Sequence, residues 1–521
     1  MPNILFITHK IQNCGVYQYG KRIYDILQKD TRINYIWIQI DSYDEYIKYI
    51  NENIYISIIY NYHDSVMPWL NQNNIQKNIK NIGIIHESNE ALFDYILNLD
   101  PNQQEDKTHF SIPRPLYEDK LTKTENTKVS EFINCYTEST IPIFGSFGFG
   151  FGNKGFDKVI SYVNNQFDNA IIKFVIPVAH FDPRNNHTHI EMNNSCMSVP
   201  RKPGIILMIT HDFFTNEELL EFLHTNTMNI FMYDYMGGRG LSSTIDYALS
   251  VKKPIGISYS CMFRHIYSDQ ICLYKRSIND ILQDSLKYCE SFTNLYSNSN
   301  LIDKFYNIIN KISYSQCLQD IFVKYISQNK QNGYFLEIGT NHYCKHNNSF
   351  SLEINNNWKG ALVEYEGSFE EEYKKYRKNS IYRIGDAQKV DYVELLKDFP
   401  TNIDYLQIDL DVDNKSTLNT LILLNDTIFD KYKFSAITFE HDIYTGNYFN
   451  TQEISRQIFK DRGYLLLFAN VTVFYNGSYR QFEDWYIHPE LVDTTKLNLE
   501  LKDGFNYDQL HDFFNNLLIT V

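Results

Sequence analysis

Short apolar runs alternate with helix-patterned segments almost without a break along this chain, and that alternation restricts it to α/β architecture. NILFITH (3–9) leads into the helical GVYQYGKRIYDILQK, then into INYIWIQI (33–40), IYISIIYNYH (54–63) and NIGIIHES (81–88). A second set starts at IPIFGSFG (141–148) and includes IIKFVIP (171–177), IILMITH (205–211), NIFMYDY (229–235) and PIGIS (254–258). A helical stretch from about Ser277 to Ile312 leads to the third set: YFLEIG, GALVEYE, SIYRIGDA, IDYLQIDLD, SAITFEHD and YLLLFAN. The simplest parse is three α/β units, 1–140, 141–310 and 311–521. The polar stretch from Asp100 to Lys128, with Pro113 and Pro115, reads as irregular packing or a link. FEDWYIHP (482–489) reads as a terminal packing segment, one that could line an acceptor pocket.

Composition narrows the function classes. Over 521 residues, 43% hydrophobic with 15% aromatic is globular rather than disordered. A net charge of −15 argues against nucleic acid as a partner, because phosphate affinity needs a basic surface. The opening MPNILFITHKIQNCGVY lacks the pattern of a signal peptide, and no run reaches the 18 or so apolar residues of a membrane span. The eight cysteines form no CxxC pairs, so neither a disulfide framework nor a zinc site is indicated. A reducing, cytoplasmic setting is the expectation.

Chemistry concentrates after residue 313. A strand ending in Glu337-Ile338-Gly339, followed by a strand ending in Glu364, suits an adenosine-bearing cofactor. Glycine permits close backbone approach, and a carboxylate at the next strand tip accepts from ribose hydroxyls. Asp386 would stand on the adenine side, with Asp409 and Asp411 at the exit of a later strand beside the reactive group. Ligands of parallel sheets bind outside the carboxyl ends of strands, so these acids should converge on one crevice. Taken singly, each could equally be a helix N-cap or a solvated loop acid.

YSQ followed by QD (314–320), FLEIGT, NNSFSLE (347–353) and WKGALVE, in that order, resemble the FkbM family of S-adenosylmethionine-dependent methyltransferases across roughly 313–490. The first turn has Asn341-His342 near where the family has a second glycine, and Asn348-Ser349-Phe350 replaces its Ser-Asn-Thr. The resemblance implies S-adenosyl-L-methionine as cofactor and O-methylation of a sugar or natural-product hydroxyl. That reaction needs a base and an aligned donor. His441, following the apolar SAITF, is the candidate base, assisted by Asp409 or Asp411; the alternative is a structural histidine satisfied by a carboxylate. Asp409, Asp411 and Glu440 could instead hold a divalent cation.

In the first 310 residues, Cys14-Gly15 forms a tight turn before a helix, suited to a ligand at the helix N-terminus. GSFGFGFGNKGFD (145–157) is a glycine-rich loop carrying Lys154, a diphosphate cradle or else a flexible connection. YDYMGGRGLSSTIDYA (233–248) supplies a second glycine loop with Arg239, Ser242 and Ser243 ahead of a helix. Together the loops resemble retaining glycosyltransferases of the two-domain GT-B type, particularly the family 4-like group. By that resemblance Gly145, Ser146, Lys154 and Gly155 match the strand-GRF-x-x-x-KG pattern, with the arginine missing. GGRGLSSTIDYA matches E-G-x-G-L-x-x-x-E-A without its first glutamate, and Asp246 stands one residue from the second. Arg239 is placed to restore a cation. His86, in HES (86–88), matches the acceptor-side His-Glu element.

The expected fold is thus two Rossmann-like GT-B domains followed by a Rossmann-like class I methyltransferase domain. The expected protein transfers sugar from a nucleotide-diphosphate sugar and methylates a hydroxyl of a carbohydrate or glycoconjugate acceptor. The rival expectation is a methyltransferase carrying a silent GT-B-like module that binds glycan or nucleotide sugar.

Overall fold

The computed structural model describes residues 2–52, 55–86, 90–118, 121–179, 186–410 and 415–518. Three sheets carry the alternation. The first is parallel and six-stranded, ordered β2-β1-β3-β4-β5-β6. Its strands are β1 (Asn3–Thr8), β2 (Asn34–Gln39), β3 (Ser57–Tyr62), β4 (Lys80–Ile85), β5 (Tyr95–Asn98) and β6 (His109–Ser111). The second is parallel and five-stranded, ordered β11-β10-β7-β8-β9. It comprises β7 (Ile143–Phe147), β8 (Asn169–Val175), β9 (Gly204–Thr210), β10 (Met228–Phe231) and β11 (Ile255–Ile257).

The third sheet has eight strands, ordered β14-β13-β12-β15-β16-β18-β17-β19. These are β12 (Tyr334–Ile338), β13 (Lys359–Glu364), β14 (Ser380–Ile384), β15 (Asn402–Ile408), β16 (Lys433–Glu440), β17 (Leu465–Tyr475), β18 (Ser478–Ile487) and β19 (Lys502–Asp503). β12 to β16 pair in parallel, while β18 runs antiparallel to both β16 and β17. The FEDWYI run is therefore the inner part of β18 in the body of the sheet, not a terminal packing segment. It is inserted there because Phe482 to Ile487 are all buried.

Each sheet is Rossmann-like: its first strand lies inside the sheet and the strand order reverses beside it. The reversal falls between β1 and β3, between β7 and β10, and between β12 and β15. Buried parallel strands read as continuous apolar runs, as in β3, which is buried at every position.

The chain crosses between units more than once. Helix Thr127–Asn134, capped by Asn126, puts Val129 and Ile133 into the core of the second unit. The preceding loop is tied there as well: Thr124 donates through its N–H to Glu221 (2.7 Å) and through its hydroxyl to Glu218 (3.0 Å). Helix Asn298–Lys311, capped by Ser297, returns to the first unit, where Leu301, Phe305 and Ile308 pack with Ile4 and Ile23. That same hydrophobic cluster continues into Phe322, Phe335 and Trp485 of the third unit. The stretch from Asp100 to Lys128 is less irregular than its composition suggests, since it contains β6. No helix among the described residues is long and apolar enough to cross a membrane.

Candidate functional site

The loops at the three reversals hold Gly15, Lys154, Gly155, Arg239, Ser242, Ser243, Gly339 and Asp409 among the residues singled out from the sequence. In the third unit the turn after β12 needs its glycine. Gly339 has φ +85°, and a Cβ there would lie 1.6 Å from the Asp409 carbonyl oxygen. The close approach is to the end of β15, so this glycine closes the floor of the crevice. Glu364, at the tip of β13, accepts from the Asn341 N–H (2.6 Å) and the Glu366 N–H (2.9 Å). It bridges the first turn to the second. Asp386, past β14, pairs with Lys389 (3.0 Å) and accepts from the Gln388 N–H (3.0 Å), which together hold its pKa below the usual carboxylate value.

Glu337, within β12, is bonded into the loop ahead of helix Phe350–Asn356. It is 1% exposed and accepts from Asn348 N (3.0 Å), Ser349 Oγ (2.5 Å) and Asn347 Nδ2 (3.2 Å). Burial pushes its pKa up, opposed by Arg377 3.9 Å away. Glu337, expected to touch the cofactor, spends three accepted hydrogen bonds on fixing the Asn347–Ser349 loop.

Asp409 and Glu440 come together at the tips of β15 and β16, where their carboxyl groups hydrogen-bond. Burial raises both pKa values, Glu440 well above the ordinary carboxylate range because the charges of Asp409 and Asp442 add to it. Glu483, opposite Glu440 in the β16–β18 register, is raised well above that range by burial too, and accepts from Gln319 Nε2 (2.7 Å). Three acids with raised pKa values, Asp409, Glu440 and Glu483, thus stand on neighbouring strands. No group of three His, Cys, Asp or Glu side chains that could hold a metal ion occurs among the described residues, and Asp411 lies outside them.

His441 is a second correction. Successive strand residues point to opposite faces, so His441 turns away from Glu440. It is fully buried, with Nε2 3.1 Å from Gln452 Nε2 and 3.8 Å from Asp484 Oδ1. Burial holds its pKa down at about 4, against the opposing pull of Asp484. Arg456 pairs with the same Asp484 (2.7 Å), so His441 belongs to a structural network behind the sheet.

In the second unit, Gly145 and Ser146 lie inside β7 rather than in the loop. A Cβ on Gly145 would meet Asn226 Nδ2 at 1.8 Å, and Ser146 is buried. Core packing, not ligand approach, requires that glycine. The loop proper begins at Gly148 and ends at Gly155, whose φ of +62° lets it pass Met232. Lys154 Nζ sits 3.9 Å from the centre of the Tyr233 ring, and the Tyr233 hydroxyl reaches Thr244 Oγ1 at 3.3 Å. Tyr233 thus links Lys154 to the start of helix Thr244–Ser250 across the β7/β10 reversal. Ser242 Oγ is bonded to Thr244 Oγ1 (2.9 Å) and its N–H to the Met262 carbonyl (3.0 Å), and Ser243 precedes helix Thr244–Ser250 without capping it. Arg239 is exposed, its carbonyl accepting from Arg264 (3.0 Å).

Asp246 is the third correction. It is fully buried and paired bidentately with Arg114, at 2.9 Å to Nε and 2.7 Å to Nη2. Arg114 also donates to the Leu99 carbonyl (2.9 Å), so the pair locks the first unit to the second. Beside it Arg22, 4% exposed, lies 4.4 Å from the Tyr117 ring and 4.7 Å from that of Tyr247. Sequence reasoning missed both arginines. Arg114 sits between two prolines in a polar stretch, and no spacing signal marks it as a core residue.

In the first unit, Gly15 opens helix Gly15–Leu27 behind Cys14, which makes no side-chain cap, with open space at the Gly15 Cα. His86 is half-buried, with Nε2 2.8 Å from Asn61 Oδ1 and its ring 5.3 Å from Tyr19. Burial, then Arg114, brings its pKa to about 3. The rest of its motif, Glu87 and Ser88, lies outside the described residues.

These geometries define a mixed α/β protein built on three Rossmann-like sheets, with several of the expected motif residues in the loops at their strand-order reversals. No protein-family model matches the chain, and no curated protein matches it. Among solved structures it is similar to Anabaena HepE in complex with UDP-glucose (8% identity, 60% of this chain and 100% of that one, TM-score 0.42). It is also similar to a glycosyltransferase from Rickettsia africae (9% identity, 60% and 98%, TM-score 0.43). A third is an α,α-trehalose-phosphate synthase from Burkholderia xenovorans in complex with glucose-6-phosphate (10% identity, 59% and 99%, TM-score 0.42). Similarity at that level does not define the fold; the strand orders do.

Proposed function

We propose that the protein is a glycan-modifying transferase. Its third unit methylates a sugar hydroxyl with S-adenosyl-L-methionine, and its first two units bind a nucleotide-diphosphate sugar and transfer the sugar. The observation that carries the reading is the β12/β15 crevice, where Gly339, Glu364 and Asp409 meet at the strand-order reversal. The donor set there fits an adenosine: Glu364 keeps free lone pairs for ribose hydroxyls on oxygens already fixed by two N–H groups. When bound, the cofactor supplies an electrophilic methyl group. The chain's own part is to orient the acceptor and remove its hydroxyl proton. Asp409 and Glu440, not His441, are our candidates for that task, because burial raises both carboxyl groups above the ordinary range and so makes each a stronger base than a solvated carboxylate when it is ionised.

The test is thermal unfolding of the full chain with and without S-adenosylmethionine. A ligand at 100 times its dissociation constant adds about 2.7 kcal/mol. Glu364→Ala should lose that stabilisation; an unchanged response in this variant, or none in the parent, refutes the assignment.

One observation favours a second reading of the first two units. The acid nearest the expected catalytic position, Asp246, is committed to Arg114. A module that binds nucleotide sugar through Lys154 without turning it over accommodates that pair. Titrating the full chain with nucleotide sugars while assaying transfer and hydrolysis separates the two: binding without either reaction over a broad donor panel selects the silent module.

A further inference from the structure

A cavity of about 580 Å³ lies between the first and third units, a volume within the range of small-molecule sites. It is lined by residues from the amino ends of β1 and β2, opposite the strand ends that form the crevices described above. Of its charged wall groups, Arg32 and Glu353 are paired, while Lys378 is exposed to solvent. Arg32 donates to Asp30 (2.8 Å) and Asp303 (2.9 Å) while lying 4.0 Å from the Tyr306 ring centre. Glu353 accepts from Arg377 (2.8 Å), the Asn379 N–H (2.9 Å) and Ser380 (2.5 Å).

What remains for a ligand is amides, tyrosine and the Lys378 ammonium, a donor that a hydroxyl can meet. Asn355 Oδ1 is enclosed and has no hydrogen-bond partner, which costs free energy unless a donor reaches it. Helices Asn298–Lys311 and Phe350–Asn356 end at this cavity, and their carbonyl ends favour hydrogen-bond donors over anions. Tyr306 and Tyr376 supply apolar ring surface, and Asn310 a further amide. A neutral, hydroxyl-rich molecule with an apolar face answers each of these features.

The geometry points to a carbohydrate-binding subsite in this cavity, holding a neutral hexose unit through Asn310, Asn355, Tyr306 and Tyr376. It leans on the glycan reading only for the choice of probes. The experiment is saturation-transfer NMR of the full chain with maltose, cellobiose and lactose, repeated on Asn310→Ala and Asn355→Ala. The expected result is binding of at least one disaccharide, weakened about tenfold or more by each substitution, with unfolding midpoints near the parent's. No binding of any probe at millimolar concentration overturns the subsite, and so does binding that both variants leave unchanged. Stabilisation by S-adenosylmethionine, read on the same proteins, keeps the two proposals apart. Lost sugar binding with that response intact supports the subsite, whereas an absent response with sugar binding intact sinks the methyltransferase reading alone.

Discussion

Replacing Asp246 by alanine tests whether this acid is structural or binds ligand. The substitution removes both acceptors of the Arg114 fork, at 2.9 and 2.7 Å, from a site where the two side chains are 1% and 0% exposed. Only the Leu99 carbonyl is left to Arg114, and the buried guanidinium of Arg22 is close by. Breaking one partner out of a buried pair typically costs about 3–5 kcal/mol, because the remaining charge is stranded. With a urea m-value of about 3 kcal/mol/M, the unfolding midpoint should fall by about 1–2 M. Asp246→Asn, which keeps the shape and loses the charge, should fall between parent and alanine variant. The double change Arg114→Met with Asp246→Leu should recover to within about 1.5 kcal/mol, since replacing a whole buried pair by apolar groups is often neutral. The assay is urea unfolding followed by far-UV circular dichroism. If Asp246→Ala unfolds within about 1 kcal/mol of the parent while its affinity for nucleotide sugars drops, the acid serves a ligand and the reasoning fails.

Two further outcomes follow from the third unit. Gly339→Ala places a Cβ 1.6 Å from a backbone carbonyl at φ +85°, so it should cost more than about 2 kcal/mol and abolish stabilisation by S-adenosylmethionine, both read by thermal unfolding. His441 has its pKa lowered from the ordinary 6.5 to about 4, so between those pH values the unfolded chain takes up a proton that the folded chain refuses. Stability therefore falls as pH drops through that window, by up to about 1.4 kcal/mol per pH unit from this group. His441→Gln should flatten that slope in urea unfolding run from pH 7 to 4. It should also leave the pH profile of methylation unchanged, because the side chain lies behind the sheet.

The alternation of apolar runs was enough to give three parallel α/β units and to place the glycine loops at strand ends. Period and length are backbone properties, and a parallel sheet imposes them directly. What the pattern could not give was partnership. Asp246 and Arg114 are 132 positions apart, and nothing local distinguishes an acid that will meet a buried arginine from one that will meet a diphosphate. The same limit misplaced His441: the strand SAITFEHD was legible, but whether its terminal histidine or its glutamate faces the crevice depends on register and face. The FEDWYI run failed for a related reason. An antiparallel strand following a hairpin looks, in one dimension, like any apolar tail.

The YSQ, QD and LE elements of the third unit serve the scaffold. Asp320 accepts from Ser313 (2.5 Å), Ser315 (2.8 Å), Ser351 (2.8 Å) and the Tyr314 N–H (3.0 Å), so the YSQ and QD elements are knotted to the start of helix Phe350–Asn356. Glu353 binds Arg377, which also donates to Ser349 (2.6 Å), itself bonded to Glu337. Trp358 donates to the Lys330 carbonyl (2.8 Å), and a Cβ on Gly360 would strike Phe335 at 2.0 Å. Apart from Lys330 these residues are buried, and each unmade bond among them would leave a polar atom without water. The motif thus specifies the scaffold that aims the β12 and β13 turns, and the groups free to meet a ligand are the few at the strand tips. Substitution along the network should therefore act on cofactor affinity through the position of Glu364 rather than through lost contact. Restoring the hydrogen bond with a shape-matched partner would recover function where restoring charge alone would not.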